Sequence, residues 1–214
     1  MMKYKGTFIK AFPIMIRKFM NEQYGKTITK KALKKAPAIY RDMLNKVDDI
    51  GEDNPMAGNI YMAFVFMAIW KAADGAISPD SFRVVVRRFL TESFARKFIG
   101  KSDMNKPEDV IKAKEKFRNI QAWADAHPQY KDKTWDFNFD ESRHKDGSFY
   151  YFTRCPLNNF ARKYGYLDIL PVCCELDYII TEASHGKLIR EYTLAEGGSI
   201  CDYWIVPDKM KNPE

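Results

Sequence analysis

The sequence predicts an α+β fold, and two observations carry the prediction. Apolar residues recur at helical spacing through roughly the first 125 positions, and near position 134 the period changes to two, with turn residues between the segments. The 214 residues form one unit, 1–214, whose first part, 1–130, is mainly helical and whose second part, 131–214, is α+β.

The elements follow in order. Pro13 to Glu22 is amphipathic, with Ile14, Ile16, Phe19 and Met20 apolar. Thr27 caps a helical region over about 28–49, where Leu33, Ala36, Tyr40, Met43, Leu44 and Val47 recur; Pro37 inside it predicts a kink or a division into two helices. Gly51 ends the region, and Asn54-Pro55 opens the next helix, Met56 to Ala73. That helix is apolar on nearly every side, so it is expected at the centre of the fold. Ser78-Pro79-Asp80 starts a further helix, with Phe82, Val85, Val86 and Phe89 inward and Arg83, Arg87 and Arg88 outward. The last of the series runs from Pro107 to Ala126.

The alternation of Thr134 to Asp140 predicts a strand, His144-Lys-Asp-Gly147 a turn and Phe149 to Arg154 a second strand, together a hairpin. Pro156 begins a short helix that ends at Gly165, and Leu167 to Ala183 reads as a helix interrupted by Pro171. Lys187 to Leu194 is a third strand, Glu196-Gly-Gly-Ser199 a turn and Ile200 to Val206 a fourth strand. The second part is thus a ββααββ unit containing an antiparallel sheet, with its helices on one face.

Composition limits the function classes. The chain is 46% hydrophobic and 14% aromatic, enough for a sizeable core. Its longest apolar run, Ile60 to Trp70, is well short of the roughly 20 residues that cross a bilayer. The start, MMKYKGTFIKAF, carries no secretory signal, so a cytoplasmic protein with no membrane association is expected. Charge is uneven: residues 1–133 hold 26 Lys and Arg against 15 Asp and Glu, and residues 134–214 hold 9 against 13. The bases are interleaved with acids, as in Lys112-Ala-Lys114-Glu115-Lys116, and no nucleic-acid recognition motif appears, so no nucleic-acid partner is expected. The expected partner is a small molecule, with a second copy of the chain as a candidate.

All four cysteines lie between 155 and 201. Cys155 stands where a strand hands over to a helix, beside backbone N–H groups and the positive end of a helix dipole, both of which favour thiolate. Cys174 and Asp177, three residues apart, share a helix face, whereas Cys173 lies about 100° away and is assigned to packing. Cys201 opens the last strand just after Gly197 and Gly198, which permit positive φ and close approach of a ligand. Three readings stay open. The thiols are small core residues. Or Cys155 or Cys174 is a nucleophile, with Asp177 or His185 as acid–base partner. Or Cys155, Cys174 and Cys201 hold a divalent metal such as zinc, although no standard zinc spacing is present. Glu196 is a further candidate base. Trp135, Tyr150, Tyr178, Tyr203 and Trp204 could wall a pocket, and each also suits a core.

These segments carry a resemblance. Phe152-Thr-Arg-Cys-Pro-Leu-Asn-Asn-Phe-Ala161, Leu170-Pro-Val-Cys-Cys-Glu-Leu-Asp-Tyr178 and Leu194-Ala-Glu-Gly-Gly-Ser-Ile-Cys-Asp202 resemble the L-2-amino-thiazoline-4-carboxylic acid hydrolase family. The matching pattern is a Cys after a strand, Cys-x-x-Asp-Tyr on a helix and Gly-x-x-Cys-Asp-aromatic near the end, here Cys155, Cys174, Asp177, Tyr178, Gly198, Cys201, Asp202 and Tyr203. The resemblance implies hydrolysis of a cyclic C=N bond, with ring opening to an N-carbamoyl-cysteine. It implies Asp177 as base or water-positioning group, and Cys155, Cys174 and Cys201 as nucleophile or metal ligands. Arg154 or Arg190 would meet the substrate carboxylate, with Gly197, Gly198 and Tyr178 beside it. The alternatives are a non-catalytic small-molecule-binding or sensing domain, and a structural module with buried cysteines.

Overall fold

Helix α1, Gly6–Lys46, packs along α2, Ala57–Ala72, in a computed structural model that describes residues 1–93, 99, 102–211 and 213. The two proline sites do not divide α1. The break falls at Gly25, where φ is 78° and ψ 163°, a conformation glycine reaches without the Cβ clash other residues suffer. Thr29 Oγ1 donates to Gly25 O at 2.9 Å and restarts the helix. Pro37 stays inside a continuous helical run, so the region is not divided into two helices there.

Helix α2 is as central as its composition requires. Ile60, Phe64, Val65, Phe66, Met67, Ala68 and Ile69 are fully buried, and Phe64 meets Phe160 with ring centroids 4.6 Å apart. Helix α3, Pro79–Glu92, is capped by Ser78, whose Oγ accepts from Ser81 N. It buries Phe82, Val85, Val86 and Phe89 and leaves Arg83, Arg87 and Arg88 partly exposed, as its pattern predicts. Helices α4, Pro107–Ala126, and α5, Pro128–Lys131, complete the helical part. No helix among the described residues is long and apolar enough to cross a membrane.

The sheet has three strands: β1, Ser148–Phe152; β2, Gly186–Ile189; and β3, Cys201–Pro207. Their order is β1-β3-β2, with β3 antiparallel to both neighbours. The expected first strand, 134–140, does not form, and the hairpin 134–154 reduces to one bridge between Asn138 and Tyr151. Side chains capture that backbone instead. Gln121 Oε1 accepts from Phe137 N at 2.7 Å, and Arg154 Nε donates to Thr134 O at 2.9 Å. Asp136 Oδ1 takes the N–H groups of Thr153 and Arg154, at 3.0 and 2.7 Å. The expected third strand stops at Ile189 for a related reason: the N–H groups of Glu191 and Tyr192 turn to the buried carboxylate of Asp202, at 3.0 and 2.7 Å.

Between β1 and β2 lie α6, Pro156–Tyr164, α7, Leu170–Cys174, and α8, Leu176–Ala183. Pro171 sits in the first turn of α7, where its missing N–H costs nothing, so the division of this stretch falls at Glu175 and not at the proline. One contiguous apolar core joins α1 and α2 to the sheet.

Gly147 fixes the entry to β1. Its φ is +71°, and a Cβ there would stand 2.2 Å from Ile205 O on the neighbouring strand. Gly147→Ala is therefore expected to destabilise the fold by at least ~2 kcal/mol, combining left-handed strain with a backbone clash. A shift of the urea midpoint measures it, and an unchanged midpoint would refute the account.

Candidate active site

The pleat of the sheet assembles the site. Cys201 and Tyr203 project from the same face of β3, two residues apart. In the register, Phe152 stands opposite Cys201 and Tyr150 opposite Tyr203, so these four side chains share a face. Tyr150 and Tyr203 stack at 4.8 Å with their planes 11° apart. Helices α7 and α8 and the N-cap of α6 meet this face and bring in the remaining special residues.

The result is a small, largely apolar cavity of about 100 Å³. All four cysteines and Asp177 line it, with Trp135, Tyr150 and Tyr203 among its aromatic walls. The sequence had placed Cys173 in packing; it is buried, yet it belongs to the same wall as Cys174. A wider cleft of about 370 Å³ lies outside, lined by Arg83, Arg87, Glu175, Tyr178, Arg190 and Glu196 among others. Cys174 lines both spaces, so it stands at their junction.

Asp177 is the organising carboxylate. Its Oδ2 accepts from Arg190 Nη2 at 3.0 Å and from the Tyr203 hydroxyl at 2.8 Å. Oδ1 has no partner among the described residues, which leaves one acceptor for a ligand or water. The Arg190 side chain is 2% exposed and that of Asp177 37%. Arg190 is held from every side: Nε donates to Asp202 O at 3.1 Å, and the guanidinium lies 3.9 Å from the Tyr203 ring centroid and 5.2 Å from that of Tyr178. Burial works against its charge, but Tyr203 and Asp177 outweigh it and hold the guanidinium above its ordinary range. Burial, followed by the charge of Asp177, also drives the hydroxyls of Tyr150 and Tyr203 well above the usual phenol value, so both remain donors.

The thiols are protonated. Burial pushes Cys155 and Cys173 up to about 12, and it raises Cys174 and Cys201 as well. At Cys155 the backbone N–H groups of Asn158 and Leu157, the first turn of α6, do lower the value, as a helix N-terminus should. Desolvation is the larger effect, and it overturns the expected thiolate. Cys201 Sγ accepts from Leu194 N at 3.1 Å, which fixes the approach of the 3-10 turn Leu194–Glu196. Metal ligation by Cys155, Cys174 and Cys201 does not fit this arrangement. Among the described residues no three His, Cys, Asp or Glu side chains are placed to share an ion.

The buried thiols predict a pH dependence. Unfolded cysteines lose their protons from about pH 8.5, whereas folded Cys155 and Cys173 keep theirs to about 12. The native state then binds more protons, so this stabilisation is complete below the unfolded value and is lost as pH rises toward the folded one. The thermal midpoint should fall between pH 9 and 11, and fall less in a Cys155→Ser, Cys173→Ser variant. Equal slopes for the two proteins would contradict it.

The other sequence candidates fall elsewhere. His185 adopts φ 55° at the turn into β2, with its side chain 59% exposed and Nδ1 3.4 Å from Asp208, and it lines neither space. Arg154 is committed to the carbonyls of Thr134 and Lys131. Gly197, at φ 91°, closes the 3-10 turn, and Gly198 N donates to Thr193 O at 2.9 Å; neither lines the cavity. Tyr178 and Glu196 face the outer cleft. Trp204 is stacked under His144, 3.8 Å away, apart from the cavity. Sequence reasoning missed the partnership of Tyr203 with Asp177 and the latch formed by Asp202. The alternation Cys201, Tyr203, Ile205 was a readable sign of the first, since it puts tyrosine and thiol on one face.

Fold and cavity together define an α+β protein with a small, largely apolar cavity adjoining a charged cleft. The chain belongs to the L-2-amino-thiazoline-4-carboxylic acid hydrolase family: the model of that family matches residues 58–205, more than half of its length, from α2 to β3. No curated protein matches the chain, and no solved structure does.

Proposed function

We propose that the protein is a hydrolase that opens a cyclic C=N substrate of the 2-aminothiazoline-4-carboxylate type to an N-carbamoyl-cysteine. The observation that carries this reading is Asp177 in the cavity wall, a carboxylate whose Oδ2 is fixed by Arg190 and Tyr203 and whose Oδ1 has no partner among the described residues. A base needs that combination of fixed orientation and a vacant lone pair. Family membership supports the choice of substrate class.

The atoms balance as follows. Asp177 Oδ1 takes a proton from water while the water oxygen bonds to C2 of the ring. The C=N electron pair moves to the ring nitrogen, and Asp177 passes the proton it has taken to that nitrogen. Asp177 then takes the hydroxyl proton as the tetrahedral carbon collapses to a carbamoyl group, the C2–S bond breaks, and the departing sulfur receives this second proton from Asp177. Arg190 and Tyr203 hold the carboxylate in place, and the Tyr203 ring is also part of the wall around the substrate ring. The thiols, kept neutral by burial, form a water-poor wall, and Cys174 guards the way in.

A free thiol is released with each turnover, so incubation with the thiazoline and a thiol-reactive dye tests the reaction directly. Stoichiometric thiol and N-carbamoyl-cysteine are expected. Binding of the thiazoline with no product would favour a non-catalytic binding or sensing domain.

A further inference from the structure

The inner cavity is too small for the whole of such a substrate. At about 100 Å³ it is smaller than the ~150 Å³ apolar cavity that accepts benzene, so it has room for a five-membered ring and little else. The outer cleft adjoins the cavity at Cys174, and it is the space that would take a carboxylate on that ring. The two arginines expected from the sequence to receive it are otherwise engaged: Arg154 on backbone carbonyls, Arg190 on Asp177 and Asp202.

The outer cleft supplies other cations. Arg83 and Arg87 stand one turn apart on α3, and both lie over Glu175, which directly follows Cys174. Their side chains are 42% and 45% exposed. Arg83 Nε sits 3.0 Å from Glu175 Oε2 but in a geometry that closes no hydrogen bond, and it is buried without another partner among the described residues, while Nη2 lies a loose 3.7 Å from Asp80 Oδ1. Arg87 Nη2 is taken by Glu182 at 2.9 Å, and its Nη1 is a loose 3.7 Å from Glu175. These guanidiniums are thus held in position by charge while keeping donors free. A planar fork with free N–H groups is suited to carboxylate recognition.

We propose that the outer cleft is the carboxylate subsite of the enzyme, with Arg83 as its main contact and Arg87 beside it, so that the ring enters the chamber while the acid stays outside. The assignment rests on the hydrolase reading for its choice of ligand. Arg83 and Arg87 then determine specificity for ring acids over the same rings without a carboxylate.

Binding of N-carbamoyl-cysteine and of N-carbamoyl-cysteamine, the same compound without its carboxylate, is measured by calorimetry under a reducing agent. Wild type should bind the acid about tenfold to a hundredfold more tightly. Arg83→Met should erase that preference and leave the affinity for N-carbamoyl-cysteamine within about twofold; Arg83→Lys should restore part of it, and Arg87→Met should weaken it. Equal binding of the two compounds by wild type, or a preference that survives in both methionine variants, overturns the subsite. Thiazoline turnover is followed separately. A carboxylate preference lost in Arg83→Met supports the subsite even where turnover is absent, and the absence then counts against the reaction alone.

Discussion

Asp177→Asn should lower kcat for thiazoline opening by about 10²–10⁴, the range that a positioned general base contributes. Asparagine keeps the size of the side chain, and its amide oxygen can still accept from Arg190 and Tyr203. It cannot take a proton from water. The loss should therefore appear in kcat with KM little changed, because the subsite around Arg83 does not involve Asp177. Asp177→Glu keeps the charge but moves it by a methylene away from its two donors, and a partial loss is expected. Wild-type turnover in Asp177→Asn would remove Asp177 from the chemistry. A rise in KM alone would make it a binding group instead of a base.

Arg190→Met should cost ~2–4 kcal/mol of stability and most of the activity. Breaking a buried ion pair from one side typically costs ~3–5 kcal/mol, and the partial exposure of Asp177 lets water take over some of the guanidinium's role. The stack on Tyr203 and the bond to Asp202 O disappear as well. Urea unfolding reads the stability, and the thiol assay reads the activity. Asp177→Asn leaves the guanidinium, 2% exposed, without its counter-charge, so it should destabilise too. The double variant should then be less damaged than the sum of the two single changes, by about 1–3 kcal/mol, as expected for groups in direct contact. Strict additivity would mean that Arg190 and Asp177 do not act as a pair.

Much of the fold could be read from the residues because the signals were local. The all-apolar faces of α2, the Ser78 cap of α3 and the Pro-led start of α6 each specify a helix through neighbours within one or two turns. Strands were harder. The alternation of Thr134 to Asp140 was real, yet Gln121, Arg154 and Asp136 claimed the backbone groups that a ladder needs. Lys187 to Leu194 lost its second half to Asp202 in the same way. Those competitors are 10 to 20 residues away along the chain, beyond the reach of a periodicity argument.

The sequence pointed to Cys155, Cys174 and Cys201 near Asp177 and left Cys173 to packing, whereas all four thiols and Asp177 line one space. Which chemistry the cluster could support was not legible. A cysteine at a helix N-terminus looks like a thiolate until the depth of burial is known, and at Cys155 desolvation outweighs the backbone N–H groups. His185 and Arg154 were reasonable partners by type, but the turn into β2 carries the histidine to Asp208, and carbonyls of the helical part occupy the arginine.

The sequence by itself determined the helices, the late concentration of cysteines and the family motifs, since each rests on residues close together in the chain. Only the tertiary structure decided that β3 lies between β1 and β2, that Tyr203 and Arg190 converge on one oxygen of Asp177, and that the thiols stay neutral. Strand order, ion pairing and desolvation depend on which distant surfaces come into contact, and those contacts exist only once the chain has folded.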